Sequence, residues 1–209
     1  MSVFEFVFSL FGLVLGLALT EVIGGLGRVL KSRRGLRVGW LTPLLGLLLL
    51  VELTAAWASV WTSRGAIPFS VLTLFCGLAV TGVFYMSANQ VFPDALDEWG
   101  DLDDYFDRHK GGVICCLVVG WVLLMAGQAA LGVDPLPGHF IKITQAIWYA
   151  VAVALAFVRD RRLCLLLMLG LLAIDTAILL VDAVADPFGD RNAVGAAVSG
   201  LLAQPPILS

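Results

Sequence analysis

The chain has 209 residues, of which 60% are hydrophobic and 14% are charged, and its mean hydropathy is +0.96. A soluble domain carries roughly a quarter charged residues, so this composition excludes an ordinary soluble globule. The net charge of −3 and the lack of a basic stripe argue against nucleic-acid binding. Because the apolar residues form runs longer than about 18, the length of a bilayer-crossing helix, the sequence predicts an all-α, polytopic membrane protein.

Six nearly uncharged runs predict six transmembrane helices joined by short loops. They are expected at about 4–30, 40–62, 68–92, 111–133, 140–158 and 162–180. The helical domain is therefore expected to cover 1–182, with an acidic connector at 93–110 and no soluble domain. The remaining segment, 183–209, is expected to be an external tail that is either interfacial or disordered.

The orientation of the bundle is predicted from its loops, because cytoplasmic loops are enriched in Lys and Arg. Ten of the 13 basic residues follow the first helix, precede the fourth, or join the fifth to the sixth. These ten are Arg28, Lys31, Arg33, Arg34, Arg37, Arg108, Lys110, Arg159, Arg161 and Arg162. We expect these loops to be cytoplasmic and, since the number of helices is even, both termini to be external.

The connector 93–110 combines acidic residues with apolar residues at helical spacing. Leu96, Trp99, Leu102 and Phe106 recur at intervals of three and four, which indicates an amphipathic helix at the membrane surface. The acidic residues are Asp94, Asp97, Glu98, Asp101, Asp103, Asp104 and Asp107. Two interpretations stay open: a cytoplasmic patch for a cation or a basic partner, or a solvated face of the connector.

The sequence predicts no enzyme, no cofactor and no metal site. Its two histidines, His109 and His139, are expected at opposite faces of the bilayer, so they cannot jointly bind haem or zinc. The chain contains no nucleophile elbow, phosphate-binding loop or zinc-binding His-Glu-x-x-His motif. The four cysteines lie in predicted helices and are expected to be free, small apolar side chains.

Three carboxylates, Glu21, Glu52 and Asp175, fall near the middle of predicted helices. At about 1.5 Å per residue, each lies roughly 15 to 20 Å from the cytoplasmic end of its helix, inside a hydrocarbon core about 30 Å thick. An acidic residue at this depth costs on the order of 2.5 to 3.5 kcal/mol, so the three are expected to converge inside the bundle. The alternative is a structural role, with neutral carboxyl groups hydrogen-bonded to polar side chains.

Two further aspartates share a helix face with Asp175. Asp182 and Asp186 follow it by seven and eleven residues, so the three are expected to form an acidic approach from the external side. In the first helix, Arg28 lies seven residues after Glu21, about 10 Å along the axis. We expect no direct ion pair between Glu21 and Arg28.

Small residues recur at intervals of four in the first helix. They are Gly12, Gly16, Thr20 and Gly24, and this small-xxx-small pattern allows another helix to approach closely. The pattern does not distinguish a helix of the same chain from one of a second copy. Because six helices make a thin enclosure for a pore, we expect a homo-oligomer.

The first half of the chain contains several distinctive segments. They are Phe4-Glu5-Phe6, the stretch LGLALTEVIGGLGR at 15–28, the tryptophans Trp57 and Trp61, and the step Val91-Phe92-Pro93-Asp94. With these segments the chain resembles a family of small, uncharacterised six-helix proteins of the bacterial inner membrane. The resemblance implies a multi-pass protein of that membrane, with Glu21 in a recurring segment, and implies no activity.

The sequence thus predicts a channel or transporter for a small cation, either a proton or Na⁺. Glu21, Glu52 and Asp175 are its expected midplane sites, since carboxylates can carry a proton or replace the hydration shell of an ion. Asp182 and Asp186 are the expected external approach. The alternative is a non-catalytic oligomeric scaffold or sensor that engages a partner through connector 93–110. The expected partners are the lipid bilayer, a small cation and further copies of the chain.

Overall fold

The computed structural model describes residues 3–31, 39–94, 101–135 and 139–185. Six α-helices make up 85% of this part of the chain, which confirms the predicted all-α class. They are α1 (Val3–Lys31), α2 (Leu41–Thr62), α3 (Val71–Asn89), α4 (Leu102–Ala130), α5 (His139–Phe157) and α6 (Arg161–Ala185).

The helix lengths suit an integral membrane protein. Within the described residues, α1 to α4 are each long and apolar enough to cross a bilayer, and 141–157 of α5 forms a shorter apolar helix. α6 has 25 residues and begins with two arginines. Four spans therefore follow from length and composition, while the spanning of α5 and α6 stays a prediction.

The observed boundaries differ from the predicted ones mainly at α4. This helix begins at Leu102, not near 111, so the second half of connector 93–110 is part of a helix that continues into the apolar span. Asp101 caps the helix, because its carboxylate accepts the backbone N–H of Asp103 at 2.9 Å. Asp103 and Asp104 in the first turn also stabilise the helix, because negative charge is favourable near a helix N-terminus.

The start of α3 and the end of α6 also differ from the prediction. α3 begins at Val71, three residues later than predicted, because the hydroxyl of Ser70 accepts the backbone N–H of Thr73 and caps the helix there. α6 continues to Ala185, which includes the first three residues of the predicted tail. The remaining tail, 186–209, lies outside the described residues.

α2 is the central helix of the bundle, in contact with α1, α3, α4 and α6. It contributes Leu48, Leu49 and Leu53 to the core, each at most 1% exposed. Residues of other helices complete this core, among them Leu15, Phe84, Leu117, Leu155 and Leu171. The outer surfaces of the helices are rich in exposed Leu, Ile and Phe, as expected of surfaces that contact lipid.

Phe92, just after α3, packs where two glycines leave room for its ring. A β-carbon at Gly25 of α1 would lie 2.9 Å from Cβ of Phe92 and closer still to its ring. A β-carbon at Gly46 of α2 would lie 2.9 Å from Cζ of Phe92. Phe92 is only 4% exposed. Its ring thus packs against both α1 and α2.

We expect Gly25→Ala to destabilise the protein, since the new methyl group displaces Phe92 near its backbone. Overpacking of this kind costs about 1 to 3 kcal/mol. Gly27→Ala is the matched control, because it lies on the same helix and a β-carbon there meets nothing within 4 Å. Both changes gain about 1 kcal/mol of helix propensity. The measurement is the unfolding midpoint in detergent, and equal midpoints for the two variants would contradict the packing described.

Candidate functional site

The carboxylate of Glu52 is buried in the middle of the bundle. Glu52 is 3% exposed and lies 11 residues after the start of α2, about 16 Å along the helix. Its Oε2 accepts a hydrogen bond from the indole Nε1 of Trp121 in α4 at 2.7 Å. Its Oε1 accepts one from the indole Nε1 of Trp148 in α5 at 2.9 Å. Both oxygens are therefore bonded to uncharged donors from other helices.

Asp175 of α6 lies beside Glu52, and the two side chains interact directly. Asp175 is 9% exposed, and its Oδ2 is buried without a hydrogen-bond partner among the described residues. We call Glu52 and Asp175 the carboxylate pair. The pair brings together two of the three midplane carboxylates that the sequence singled out.

A buried lysine fixes the depth of three of these helices. Lys110 of α4 is 4% exposed and donates hydrogen bonds to the backbone oxygen of Val158 and to Asp107. Its Nζ also lies 3.5 Å from Sγ of Cys164 in α6. We call this contact of α4 with the two ends of the α5–α6 connection the lysine junction.

The spacing of residues along α4, α5 and α6 relates the lysine junction to the level of Glu52. Trp121 lies 11 residues from Lys110, Trp148 lies 10 from Val158, and Asp175 lies 11 from Cys164. At about 1.5 Å per residue, all three positions are roughly 15 to 17 Å from the junction. The same spacing along α4, α5 and α6 therefore delivers the two indoles and the aspartate to the level of Glu52.

A second polar group lies farther along α2. Ser59 and Ser63 follow Glu52 by seven and eleven residues, on the same helix face. Nε2 of Gln128 in α4 donates to Oγ of Ser59 and to Oγ of Ser63, each at 2.9 Å, and both Ser63 and Gln128 are buried. These three residues, the Gln128 cluster, extend the polar face of α2 from Glu52 toward the end of the helix.

Glu21 does not join the carboxylate pair. It is partly exposed on α1, and its Oε1 accepts from Nη2 of Arg28 at 3.2 Å. Our expectation that no direct ion pair forms between them is wrong. The Arg28 side chain is long and helical side chains tilt toward the N-terminus, so it bridges the two turns that separate the Cα atoms.

The other predicted site residues either belong to the small-residue pattern of α1 or have side chains outside the described part of the structure. Asp186 lies outside them, as does the side chain of Asp182. In the small-residue pattern of α1, Gly12 faces Trp57 of α2 at close range, whereas a β-carbon at Gly16 would meet nothing within 4 Å. The Thr20 hydroxyl donates to the Gly16 carbonyl of its own helix, and Gly24 is exposed.

The acidic residues at the start of α4 have a partner within the chain. Arg161, the first residue of α6, reaches Asp104 at 2.6 Å and Asp107 at 3.3 Å. Asp103 and Asp101 lie 3.8 and 3.9 Å from its Nη1. The hydrogen bond with Asp104 raises the pKa of Arg161, and its partial desolvation opposes this effect. Four aspartates of connector 93–110 therefore lie close to a cation of the same chain, and the choice between a partner-binding patch and a solvated face stays a prediction.

Trp121 and Trp148 are the site residues that sequence reasoning missed. The sequence did contain a signal: tryptophan in membrane proteins is enriched at the two interfaces, whereas both residues fall well inside apolar runs. An indole at that depth has an N–H group that needs an acceptor, and a buried carboxylate is an acceptor that needs donors.

No protein-family model, curated protein or solved structure matches this chain. Within the described ranges, no group of three or more His, Cys, Asp or Glu residues could hold a metal ion.

We expect Trp148→Phe to cost about 1 to 3 kcal/mol of stability, because it leaves Oε1 of the buried Glu52 without its donor. Trp61→Phe, at a position 46% exposed, is the control for loss of ring volume. The loss at Trp148 should shrink in a Glu52→Leu background, where the Glu52 carboxylate no longer needs a donor. An unchanged loss in that background, measured by detergent unfolding, would assign the effect to packing alone.

Lys110→Met tests the lysine junction. Methionine preserves much of the side-chain length but removes the donors to Val158 and Asp107, so we expect a loss of roughly 1 to 3 kcal/mol. Lys142→Met, at an exposed position of α5, is the matched control. Because the junction sets the depth of Trp148, the tryptophan fluorescence spectrum of the protein should also change in Lys110→Met. Wild-type stability and fluorescence would refute the proposed role of the junction.

Proposed function

We propose that this protein moves a small cation, a proton or Na⁺, across the membrane, with the carboxylate pair as its central site. The observation that carries the proposal is the burial of Glu52 and Asp175 side by side in a bundle of apolar helices. Acidic residues inside membrane helices face the protein interior and mark ion or proton pathways.

A purely structural role accounts less well for the pair. A packing contact between helices needs only a Ser, Thr, Asn or Gln side chain, which avoids the cost of burying an ionisable group. Here two carboxylates meet, and Oδ2 of Asp175 has no hydrogen-bond partner among the described residues. An acceptor left open beside a second acceptor is an arrangement that a bound cation stabilises.

The two sides of the carboxylate pair along α2 differ in polarity. Toward the end of α2, the Gln128 cluster offers hydroxyl and amide groups on the face of Glu52. Toward the start of α2, the same face carries Leu45 and Leu48, both buried. We propose that ions reach the pair past the Gln128 cluster. Asp182, in α6, and Asp186, outside the described residues, remain the proposed outer approach.

We place the protein in a bacterial inner membrane, with both termini external. This setting rests on the distribution of basic residues in the loops and on the family that the chain resembles. Homo-oligomerisation remains part of the proposal, because Gly16 and Gly24 of the small-residue pattern meet no other helix at close range within the described part of the chain.

The alternative function, an oligomeric scaffold or sensor that binds a partner through its acidic connector, has weaker support. Four of the connector's aspartates already lie within 4 Å of Arg161. A basic partner would have to compete with this intramolecular cation for Asp101, Asp103, Asp104 and Asp107.

The test is ion flux into liposomes that contain the purified protein, under an imposed pH or Na⁺ gradient. We expect flux in the wild type and its loss in Asp175→Asn, because the amide keeps the size of the side chain but cannot exchange a proton or neutralise a cation. Glu5→Gln, an acid-to-amide change at an exposed position in the first turn of α1, is the control and should retain flux. Equal flux in Asp175→Asn and Glu5→Gln would contradict the proposal.

A further inference from the structure

We infer that the ion is a proton, not Na⁺, and that Glu52 and Asp175 hold it jointly. This inference rests on the proposed transport function and narrows its substrate. It follows from the contacts of the carboxylate oxygens and from the charged groups that the neighbouring helices place near the pair.

The contacts of Glu52 disfavour a metal cation. Na⁺ in a protein replaces its hydration shell with several oxygen ligands. The hydrogen-bond partners described for the two Glu52 oxygens are the indole N–H groups of Trp121 and Trp148, which are donors and cannot coordinate a cation. Their positive hydrogens also repel one. Among the described residues that interact with Glu52, this leaves the carboxylate of Asp175 as the charged oxygen ligand. A proton needs only one oxygen of one carboxylate and a second oxygen to accept its hydrogen bond.

The charges around the pair require one such proton. Two carboxylates that touch in a site of low dielectric cannot both be ionised, so they share a proton. Among the described residues, the phenol of Tyr149 in α5 also interacts with Glu52, and a phenol is uncharged at neutral pH. Among neighbouring helices, α3 carries no Asp, Glu, Lys or Arg, and the charges of Glu21 and Arg28 in α1 pair with each other.

The buried aspartate oxygen identifies where the proton is exchanged. Both Glu52 oxygens are engaged by indoles, whereas Oδ2 of Asp175 is free of hydrogen bonds within the described structure. The resting pair holds one proton, so a proton arriving from water bonds to the carboxylate that is still ionised and makes both acids neutral. Release of one proton to the opposite side restores the singly protonated pair, and no other bond changes. The proton belongs to the pair and not to one residue.

Infrared spectroscopy of the protein in liposomes tests for the shared proton directly. We expect the wild type at neutral pH to show the carbonyl band of a buried neutral carboxylic acid, which shifts in D₂O. The band should change position in Asp175→Asn and disappear in the double variant Glu52→Gln/Asp175→Asn. Glu5→Gln should leave it unchanged. If the double variant does not fold, the D₂O shift and the Na⁺ insensitivity of the wild-type band still decide the question.

Flux measurements on the same liposomes separate this inference from the proposed function. We expect proton uptake in Na⁺-free buffer, driven by a K⁺ diffusion potential, with no Na⁺ uptake and no effect of added NaCl on the band. Na⁺ uptake, or loss of the band on adding NaCl, would overturn the proton inference while leaving cation transport standing. The band without flux of either ion would refute transport while leaving the shared proton in place.

Discussion

The carboxylate of Glu52 imposes the main constraint on this bundle, because it is only 3% exposed and needs hydrogen-bond donors from the protein. An unpaired buried charge is far costlier than an unpaired neutral group. The donors come from α4 and α5, as Trp121 and Trp148, and the second acid comes from α6. Four helices therefore have to meet around one side chain of α2, and a shift of any of them leaves a polar group without its partner.

The polar contacts at the start of α4 provide the positioning that this constraint requires. Lys110 binds the end of α5 and the first turn of α6, and nearly equal helical distances carry Trp148 and Asp175 to the level of Glu52. Arg161 adds ion pairs to the aspartates near the start of α4. Surface ion pairs are individually weak, so the buried lysine is the stronger of the two anchors.

The sequence predicted the helical class, the approximate spans and two members of the carboxylate pair, because hydrophobic run length and the cost of buried charge act locally. It could not predict which helices meet. Glu21 and Glu52 look alike in sequence, yet Glu21 faces the side of α1 where Arg28 can reach it. The start of α4 was misplaced because the charged residues at 101–110 resemble a loop in composition, whereas the Asp101 cap and Phe106, which is 1% exposed, hold them in a helix.

Glu52 and Asp175 face each other in the folded protein, and cysteine cross-linking in native membranes tests this contact. In a chain whose four native cysteines are replaced, Glu52→Cys combined with Asp175→Cys should be cross-linked by a short bifunctional thiol reagent, detected by mass spectrometry of the digested chain. Glu21→Cys combined with Asp175→Cys should not. A cross-link between 21 and 175, together with none between 52 and 175, would contradict the account.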